Sequence, residues 1–229
     1  MNILIQTADG SNTLFNETIG EHYHSANGAL QESKHVFIAA GLKYAISQDP
    51  RKEISILEVG FGTGLNFLLS FAYGEENNIK LAYTGIEAFP LAKSVIEATG
   101  YKSYVSTPLW QAFVDNYENS LVEMQNLSSD CSLKILPKKL EEIKSFEKFD
   151  LIYYDAFSVS NQPEMWTDEI IAYTCSFLKA NGIFVSYAIT GNLKRALKKC
   201  GFKIEKLPGA PGKREMLRAV KSDNILPLP

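Results

Sequence analysis

The sequence has little cysteine, no basic N-terminal flank and no long apolar run. Its three cysteines lie far apart and form no CxxC pair, which argues against a zinc site and against a disulfide framework. We therefore expect no metal centre. The first apolar run stops at Gln6, so we predict neither a signal peptide nor a membrane span and expect a soluble, cytoplasmic protein.

The net charge of −3 is unevenly distributed. Between Thr190 and Lys221 ten Lys or Arg residues stand against two Glu residues, a local charge of +8 that leaves −11 for the rest of the chain. Such asymmetry indicates an anionic partner near the C-terminus. The alternative is an ordinary solvated helix face, because surface lysines are common.

From Ile54 onward, short apolar runs alternate with longer amphipathic ones, which predicts an α/β fold with a mostly parallel, twisted, seven-stranded sheet and helices on both faces. Strands are predicted at 54–60, 82–88, 132–137, 149–156, 182–189, 202–207 and 215–221. Helices are predicted at 64–73, 90–98, 109–126, 138–145, 163–180 and 191–200. The length of 229 residues suits one domain, with 51–229 as a Rossmann-like core and 1–50 as an N-terminal hairpin and lid.

Glycines mark three of the predicted boundaries. Asp9-Gly10 predicts a hairpin turn, because this pair tolerates the positive φ that such turns need. Gly201 and Gly182 each follow a predicted helix, so we expect both to be left-handed C-caps.

A glycine-rich loop follows the first core strand where a helix should begin. Gly60, Gly62 and Gly64 let the backbone pass close to a ligand, and Glu58 offers a carboxylate to a cationic group. Because position 65 is Leu, the third glycine of the dinucleotide fingerprint is missing, which disfavours nicotinamide and flavin cofactors. S-adenosylmethionine, with an ammonium and a sulfonium, fits better.

Two acidic residues end two further predicted strands, and both would face this loop if the strands lie next to it. Glu87 lies 25 positions beyond Gly62, the spacing at which an acid binds ribose hydroxyls in nucleoside-binding folds. Asp155 ends another strand and would face the same crevice, where it meets the substrate. The alternatives are a surface Glu beside a structural turn and an Asp that caps a helix.

These residues resemble the methyltransferase domain of MnmC-type tRNA modification enzymes, including stand-alone forms without the oxidase domain. The resemblance covers nearly the whole chain and rests on Gly60–Phe67, Glu87–Leu91, Asp155–Phe157 with Asn161–Trp166, and Gly201-Phe202 with Lys213–Leu217. The N-terminal segments Tyr23–Ser25 and Glu32–Phe37 also resemble the corresponding segment of this family. It implies a class I S-adenosylmethionine-dependent methyltransferase whose cofactor contacts Glu58, Gly60, Phe61, Gly62, Thr63, Gly64, Asn66, Glu87 and Ala88.

The resemblance further implies methylation of the aminomethyl nitrogen of 5-aminomethyl(-2-thio)uridine at the tRNA wobble position. The partner would be the anticodon loop of tRNA, with a separate FAD-dependent oxidase acting upstream because the oxidase half is absent. One departure is Leu136-Pro137-Lys138, which stands where related methyltransferases often place an acid against adenine. The adenine contact is therefore unassigned.

Methyl transfer requires a neutral amine held near the methyl group. An alkylamine has a pKa of ~10.4 and an Asp one of ~3.9, so Asp155 would be a feeble base. We therefore expect it mainly to orient the amine through a hydrogen bond and to stabilise the developing cation.

The target base must leave its stack to reach the cofactor, which favours an aromatic pocket. We expect Trp166 to form its wall, because Phe157 and Tyr187 are at least as well explained by core packing. Lys213 and Arg214 end a loop rich in Gly and Pro, which suits phosphate contact, although an ordinary hairpin connection explains it too.

Three functions remain open at this point. The first is the tRNA methyltransferase, or a class I methyltransferase for another amine. The second is an aminopropyltransferase, which shares the fold and a related sulfonium cofactor, although the basic C-terminus argues against a cationic substrate. The third is an RNA-binding module with a vestigial cofactor pocket, against which the intact Glu58, Glu87 and Asp155 argue.

Overall fold

The N-terminal residues form a small antiparallel sheet. The structure, a computed structural model, describes residues 2–49, 52–144 and 148–222. Strands β1 (Asn2–Gln6), β2 (Asn12–Asn16) and β3 (Glu21–His22) lie in the order β1-β2-β3. Gly10 has a φ of 81° in the turn between β1 and β2, which confirms the predicted hairpin.

A helical segment over residues 29–48 follows this sheet. It consists of α1 (Ala29–Glu32), a π-helix (Ser33–Lys43) and α2 (Tyr44–Gln48). Its buried side chains, among them Phe37 and Leu42, join the core on one face of the main sheet. No helix was predicted for this segment, because the i to i+5 hydrogen bonds of a π-helix move the buried positions off the 3.6-residue period.

The main sheet has eight strands among the described residues, in the order β10-β11-β9-β8-β4-β5-β7-β6. They are β4 (Glu53–Val59), β5 (Lys80–Ile86), β6 (Gln125–Asn126), β7 (Cys131–Leu136), β8 (Phe149–Tyr154), β9 (Leu178–Ser186), β10 (Phe202–Pro208) and β11 (Glu215–Lys221). Neighbouring strands from β9 to β7 run parallel, and β10, β11 and β6 pair antiparallel. The seven predicted strands are confirmed, and β6 adds a two-residue edge.

Helices cover both faces of the sheet, as predicted. They are α3 (Leu65–Asn77), α4 (Lys93–Ala98), α5 (Thr107–Ser120), α6 (Asp168–Ser176) and α7 (Gly191–Lys199). Side chains along β4 point alternately to the two faces of the sheet. Ile54 and Ile56 pack with α3, α4, α5 and residues 29–48 on one face, and Leu57 and Val59 pack with α6 and α7 on the other. Within the described ranges, none of the helices is long and apolar enough to cross a membrane.

Two predicted helices differ from the structure. The segment predicted at 138–145 forms only a 3-10 turn, Leu140–Glu142, and its last residue lies outside the described ranges. The segment predicted at 163–180 divides into a 3-10 turn (Pro163–Trp166), α6 and the start of β9. Thr167 begins α6 anew, because its extended backbone interrupts the helical path and its side chain accepts the Ile170 N–H.

Only one of the two predicted C-caps has the predicted geometry. Gly201 has a φ of 80° just after α7, which confirms that cap. The prediction for Gly182 is wrong, because Gly182 lies inside β9 and the left-handed residue is Asn181, with a φ of 59°. A Cβ at Gly182 would lie 2.8 Å from Leu178 Cδ2, so close packing accounts for this glycine.

The strand order places a crevice at the carboxyl ends of β4, β5 and β8. From β4 the chain continues to β5 and β7 on one side, whereas β8 and β9 lie on the other. The loops that leave β4 and β8 therefore diverge, and ligands bind at such switch points in open α/β sheets.

Candidate cofactor and acceptor site

A cavity of about 780 Å³ opens at this switch point. Its wall comes from the glycine loop, the strand ends and the N-terminal sheet, and includes Gly60, Phe61, Gly62, Thr63, Glu87, Ala88, Asp155, Tyr187, Lys213 and several residues between Asn16 and Glu32. The volume lies in the range of small-molecule sites and accommodates a nucleoside cofactor with room for an acceptor group.

The loop after β4 exposes backbone to this cavity because its glycines carry no side chain. Gly60 has a φ of 88°, and a Cβ there would lie 2.4 Å from the carbonyl oxygen of Asp155. Gly62 has a φ of 53°, and a Cβ there would lie 3.0 Å from the ring of Tyr23. Both positions combine a left-handed backbone with close contact, which only glycine permits without strain.

Not every residue of the loop faces the cavity in the same way. Gly64 precedes α3 in a left-handed conformation and packs beneath the loop, where a Cβ would lie 2.9 Å from Phe113. Phe61 lines the cavity but also packs into the core against Phe67. The Thr63 hydroxyl donates to Tyr101 Oη at 3.3 Å, so its side chain supports the loop from below.

Glu87 is held by the backbone on both sides. Its Oε2 accepts the Gly62 N–H at 2.9 Å and its Oε1 accepts the Phe89 N–H at 3.0 Å. Burial raises the pKa of Glu87, and these two donors oppose that rise. Each oxygen keeps lone pairs, so the carboxylate is fixed beside the glycine loop and remains able to accept two hydroxyl groups.

Glu58 does not lie where the sequence analysis expected it. Its carboxylate is fully buried away from the cavity wall, and it accepts Asn66 Nδ2 at 2.8 Å and Tyr83 Oη at 2.8 Å. Because β4 alternates between faces, this side chain points toward α3, not into the crevice. Neither the Glu58 nor the Asn66 side chain lines the cavity in this structure, so the predicted direct contact of both with the cofactor finds no support in this geometry.

Asp155 lines the cavity at the end of β8, as the sequence predicted. Its N–H donates to Val59 O at 2.8 Å, and its Oδ2 accepts Asn66 Nδ2 at 2.9 Å. Burial, aided by the negative charge of Glu32, raises the pKa of Asp155 to about 8, although the bond from Asn66 opposes the rise. This carboxyl group is therefore a far stronger base than an ordinary Asp.

Lys213 reaches into the cavity and is not a free surface cation. Its Nζ lies 2.5 Å from Glu32 Oε1 and 3.8 Å from the ring centre of Tyr187. Tyr187 in turn donates from its hydroxyl to Ala156 O at 2.9 Å. Arg214 is exposed and does not line the cavity, so the two adjacent cations that the sequence analysis grouped lie in different surroundings.

Trp166 lies in the core and not at the cavity wall. It is only 5% exposed, and its indole N–H donates to Phe157 O at 2.8 Å. Its ring meets Tyr154 and Tyr187 edge-on, with centroids 5.2 and 6.4 Å away. Because the 3-10 turn points Met165 into the cavity and Trp166 inward, the predicted direct contact of Trp166 with substrate does not fit this structure.

The N-terminal sheet supplies cavity residues that the site prediction did not include. Tyr23 packs edge-on against Phe157 at 5.2 Å, and Glu21 Oε2 accepts Ser158 N, Ser158 Oγ and Asn161 Nδ2 at 3.0, 2.8 and 2.8 Å. The similarity of Tyr23–Ser25 to the MnmC-type family was the one sequence feature that pointed to this segment. No hydrophobic periodicity indicated that it packs over the site.

His24 also lines the cavity and is held by Thr13. The His24 backbone N–H donates to Thr13 Oγ1 at 3.1 Å, and the ring Nδ1 lies 3.1 Å from the same hydroxyl. Burial lowers the pKa of His24 to about 4. The imidazole is therefore neutral at pH 7 and adds a polar group without charge to the cavity.

The mouth of the cavity combines cations with one exposed aromatic ring. Lys138 and Lys139 are exposed and lie in the cavity wall together with Glu141. Phe89 is 76% exposed at the same mouth. No acid that could contact adenine was found at 136–138 in the sequence. The structure places Glu141, a few residues further on, in the cavity wall.

Comparison with known proteins agrees with this geometry. Residues 105–222 match the family described as S-adenosyl-L-methionine-dependent methyltransferase. The chain is similar to the "tRNA 5-methylaminomethyl-2-thiouridine biosynthesis bifunctional protein MnmC" of Burkholderia multivorans, with 28% identity over 90% of the chain and 33% of that protein. The corresponding protein of Leptospira interrogans is 30% identical over 93% of the chain and 34% of its own length. The chain thus spans about a third of the curated relatives it matches.

Solved structures show the same fold. The crystal structure of MnmC2 from Aquifex aeolicus superimposes with a TM-score of 0.77 and 27% identity, covering 100% of this chain and 73% of that one. A protein from Listeria monocytogenes described as "a putative class i s-adenosylmethionine-dependent methyltransferase" is 17% identical and gives a TM-score of 0.52 over 90% of this chain and 64% of its own. This likeness shows the fold alone.

The chain belongs to the family of S-adenosyl-L-methionine-dependent methyltransferases. Its site fits that cofactor on structural grounds. Gly60 and Gly62 form a cradle that a Cβ would fill, and the fixed carboxylate of Glu87 lies next to it. The cofactor is a cation, and the cavity wall carries Glu21, Glu32 and Asp155 as further acids.

Proposed function

We propose that this methyltransferase acts on the aminomethyl nitrogen of 5-aminomethyl(-2-thio)uridine at the wobble position of tRNA. The observation that carries the proposal is Asp155, a carboxyl group of raised pKa that faces the same cavity as the glycine cradle. The MnmC relatives are named for the biosynthesis of 5-methylaminomethyl-2-thiouridine in tRNA, which supports the identity of the acceptor.

The proposed cofactor contacts are the backbone of Gly60–Gly64 together with Glu87 and Ala88. Glu87 would accept the ribose hydroxyls, because both its oxygens are aimed by backbone N–H groups beside the cradle. When bound, S-adenosylmethionine supplies an electrophilic methyl group. The protein's contribution is then to present an amine lone pair in line with that group.

Asp155 is proposed to accept the proton that the acceptor ammonium must lose. An alkylamine has a pKa of ~10.4 and an ordinary Asp one of ~3.9, which made proton transfer look unfavourable from the sequence. With the pKa of Asp155 raised to about 8, the difference between the two pKa values falls from ~6.5 to ~2.4, which makes proton transfer much less unfavourable. After the proton transfer, the unprotonated oxygen of Asp155 would still accept an N–H hydrogen bond from the amine and so keep its lone pair oriented.

The acceptor pocket is proposed to lie between Tyr23, Phe157 and Tyr187, replacing the predicted wall at Trp166. Tyr23 and Phe157 already pack edge-on, and Tyr187 stands beneath the Lys213 ammonium. An unstacked pyrimidine needs such aromatic faces. Glu32 and Asp155 would attract its aminomethyl cation, because the wall has more acids than bases at this end.

The anticodon loop of tRNA is proposed to dock at the cavity mouth. Lys138 and Lys139 would contact phosphates there, and Phe89, 76% exposed, offers a face on which a flanking base can stack. Exposed Arg214 is a further phosphate contact, whereas Lys213 acts inside the cavity. We propose that a separate FAD-dependent oxidase acts upstream and supplies the amine.

The experiment is mass spectrometry of wobble nucleosides from cells that lack this protein. We expect 5-aminomethyl(-2-thio)uridine to accumulate and its N-methyl product to disappear. The wild-type chain should restore the product, and Asp155→Asn should not. Normal levels of the methylated nucleoside in the deleted strain would refute the proposed acceptor.

A further inference from the structure

We infer that Asn66 is a positioning residue for Asp155, and that Glu58 anchors Asn66 for this purpose. The inference deepens the proposed function, because it rests on Asp155 meeting the acceptor amine. It gives Glu58 and Asn66 a part in the reaction that does not require either side chain to touch the cofactor. The three side chains come from the ends of β4 and β8 and the first turn of α3.

The amide of Asn66 joins the two carboxyl groups directly. Its Nδ2 lies 2.8 Å from Glu58 Oε1 and 2.9 Å from Asp155 Oδ2. An amide nitrogen carries two hydrogens, so both are used, one on each acid. In this orientation the amide donates to both acids at once. Each carboxyl group keeps an acceptor oxygen for that bond whether or not it is protonated.

Glu58 is built to hold this amide and nothing in the cavity. It is fully buried, and its second oxygen accepts Tyr83 Oη at 2.8 Å. Burial raises the pKa of Glu58 well above its usual range, and the charge of Asp155 raises it further. A buried acid of this kind destabilises the fold unless it is well bonded, which is a cost that a purely structural position would avoid.

A second observation points the same way. Asn66 is 2% exposed, and its Oδ1 is one of two buried side-chain atoms without a hydrogen-bond partner among the described residues. Buried polar atoms are nearly always bonded, and an unbonded one calls for an explanation. Here both donors of the amide are committed to Glu58 and Asp155, and the oxygen is left over as a consequence.

The geometry divides the work between the two oxygens of Asp155. Oδ2 is occupied by Asn66, whereas no hydrogen bond of Oδ1 is found among the described residues, and Asp155 lines the cavity. One oxygen therefore locks the carboxyl plane and the other is presented to the acceptor. Loss of the lock would let the plane rotate, and small errors in aim slow in-line transfer strongly.

The test compares Asn66→Leu and Asn66→Asp with Ser70→Ala in the full chain. Ser70 lies one turn further along α3 and is also buried, with its hydroxyl bonded to Asn66 O and Tyr153 Oη at 2.8 and 3.2 Å. It therefore controls for loss of a buried polar group in the same helix. Cofactor affinity is measured by calorimetry and turnover by methyl transfer to tRNA over a range of pH.

Both Asn66 variants should lower kcat by about 10- to 100-fold and leave cofactor affinity within about 3-fold, since Asn66 does not line the cavity. The acidic limb of the kcat profile should move to higher pH, because Asp155 loses the donor that lowers its pKa. Ser70→Ala should keep the wild-type limb. If Asn66 had only a structural role, its variants would have a lower maximal kcat, but the acidic limb of their pH profile would stay at the wild-type pH.

An unshifted acidic limb in folded Asn66→Leu and Asn66→Asp would overturn the inference, as would a shift of equal size in Ser70→Ala. Loss of cofactor binding in both Asn66 variants would also overturn it, because Asn66 would then act on the cofactor. Failure of the proposed function looks different: Asp155→Asn would retain full activity, whatever the Asn66 variants do.

Discussion

Asp155 shows how much its surroundings change a single carboxyl group. Exposed in water it would have a pKa of ~3.9, whereas burial and the nearby Glu32 raise its pKa to about 8. Composition cannot report this, because the shift depends on Glu32, Glu21 and Lys213 arriving from distant parts of the chain. From the sequence we predicted that Asp155 orients the amine, and its raised pKa supports the further proposal of proton transfer.

The raised pKa of Asp155 should make the protein less stable at high pH. The folded state holds the proton more tightly than the unfolded state, so the stability contributed by Asp155 falls as pH rises from about 4 to about 8. Asp155→Asn removes this penalty. We expect its melting temperature to exceed that of the wild type by roughly 5 °C at pH 8, and by much less at pH 5. Equal melting temperatures at both values would contradict the raised pKa.

Gly62→Ala should weaken cofactor binding without unfolding the protein. The new methyl group would press on Tyr23 at 3.0 Å and the residue would hold a φ of 53°. Gly10→Ala is the matched control, because Gly10 has a φ of 81° but open space around its Cβ. Both variants should lose roughly 1 kcal/mol of stability, and calorimetry should find about 10-fold weaker cofactor binding only for Gly62→Ala. Similar affinities would remove the loop from the cofactor site.

The N-terminal sheet is fastened over the site by Glu21. One oxygen of Glu21 accepts three hydrogen bonds from Ser158 and Asn161, so this strand and the loop after β8 close together on the cavity. Glu21→Ala should release both segments, seen as faster amide hydrogen exchange in residues 21–24 and 156–161, and should speed cofactor dissociation. Exposed Glu118 on α5 gives the control, Glu118→Ala. If Glu21→Ala exchanged its amide hydrogens no faster than Glu118→Ala in these segments, Glu21 would not hold the N-terminal sheet over the site.

Elements that depend on the local sequence could be predicted, whereas elements that depend on tertiary contacts could not. Gly10 and Gly201 have a positive φ, which a glycine in a turn or after a helix indicates. Gly182 looked the same but serves close packing against Leu178. Glu58 was placed on the right strand, and its motif suggested a cofactor ligand, whereas the alternation of β4 directs its carboxylate to Asn66.

The same distinction applies to the aromatic wall. Trp166 stood beside a proline in a loop, which suggested an accessible ring, but the 3-10 turn at 163–166 points it into the core. Tyr23 takes part in the site from the far end of the sequence, and its role depends on how the N-terminal sheet packs on the loop after β8. No period in the sequence records that contact.

The whole molecule has an acidic cavity whose mouth carries cations, which suits a cationic amine carried by an anionic polymer. Replacing Lys138 and Lys139 by Ala should weaken tRNA binding and lower the slope of log K against log salt by about 1.4, or ~0.7 for each lost phosphate contact to a single strand. Lys80→Ala is the control, since Lys80 is the first residue of β5 and lies at the amino ends of the strands, away from the cavity at their carboxyl ends. An unchanged slope in the double variant would exclude phosphate contact at the mouth.

The most direct measurement supplies the purified chain with methyl-labelled S-adenosylmethionine and tRNA that carries 5-aminomethyl-2-thiouridine. Label should appear on the exocyclic nitrogen of the wobble nucleoside, with one methyl group per tRNA and almost none for Asp155→Asn. Label on a small polyamine, label elsewhere in the tRNA, or no transfer by a protein that binds both partners would contradict the proposed function.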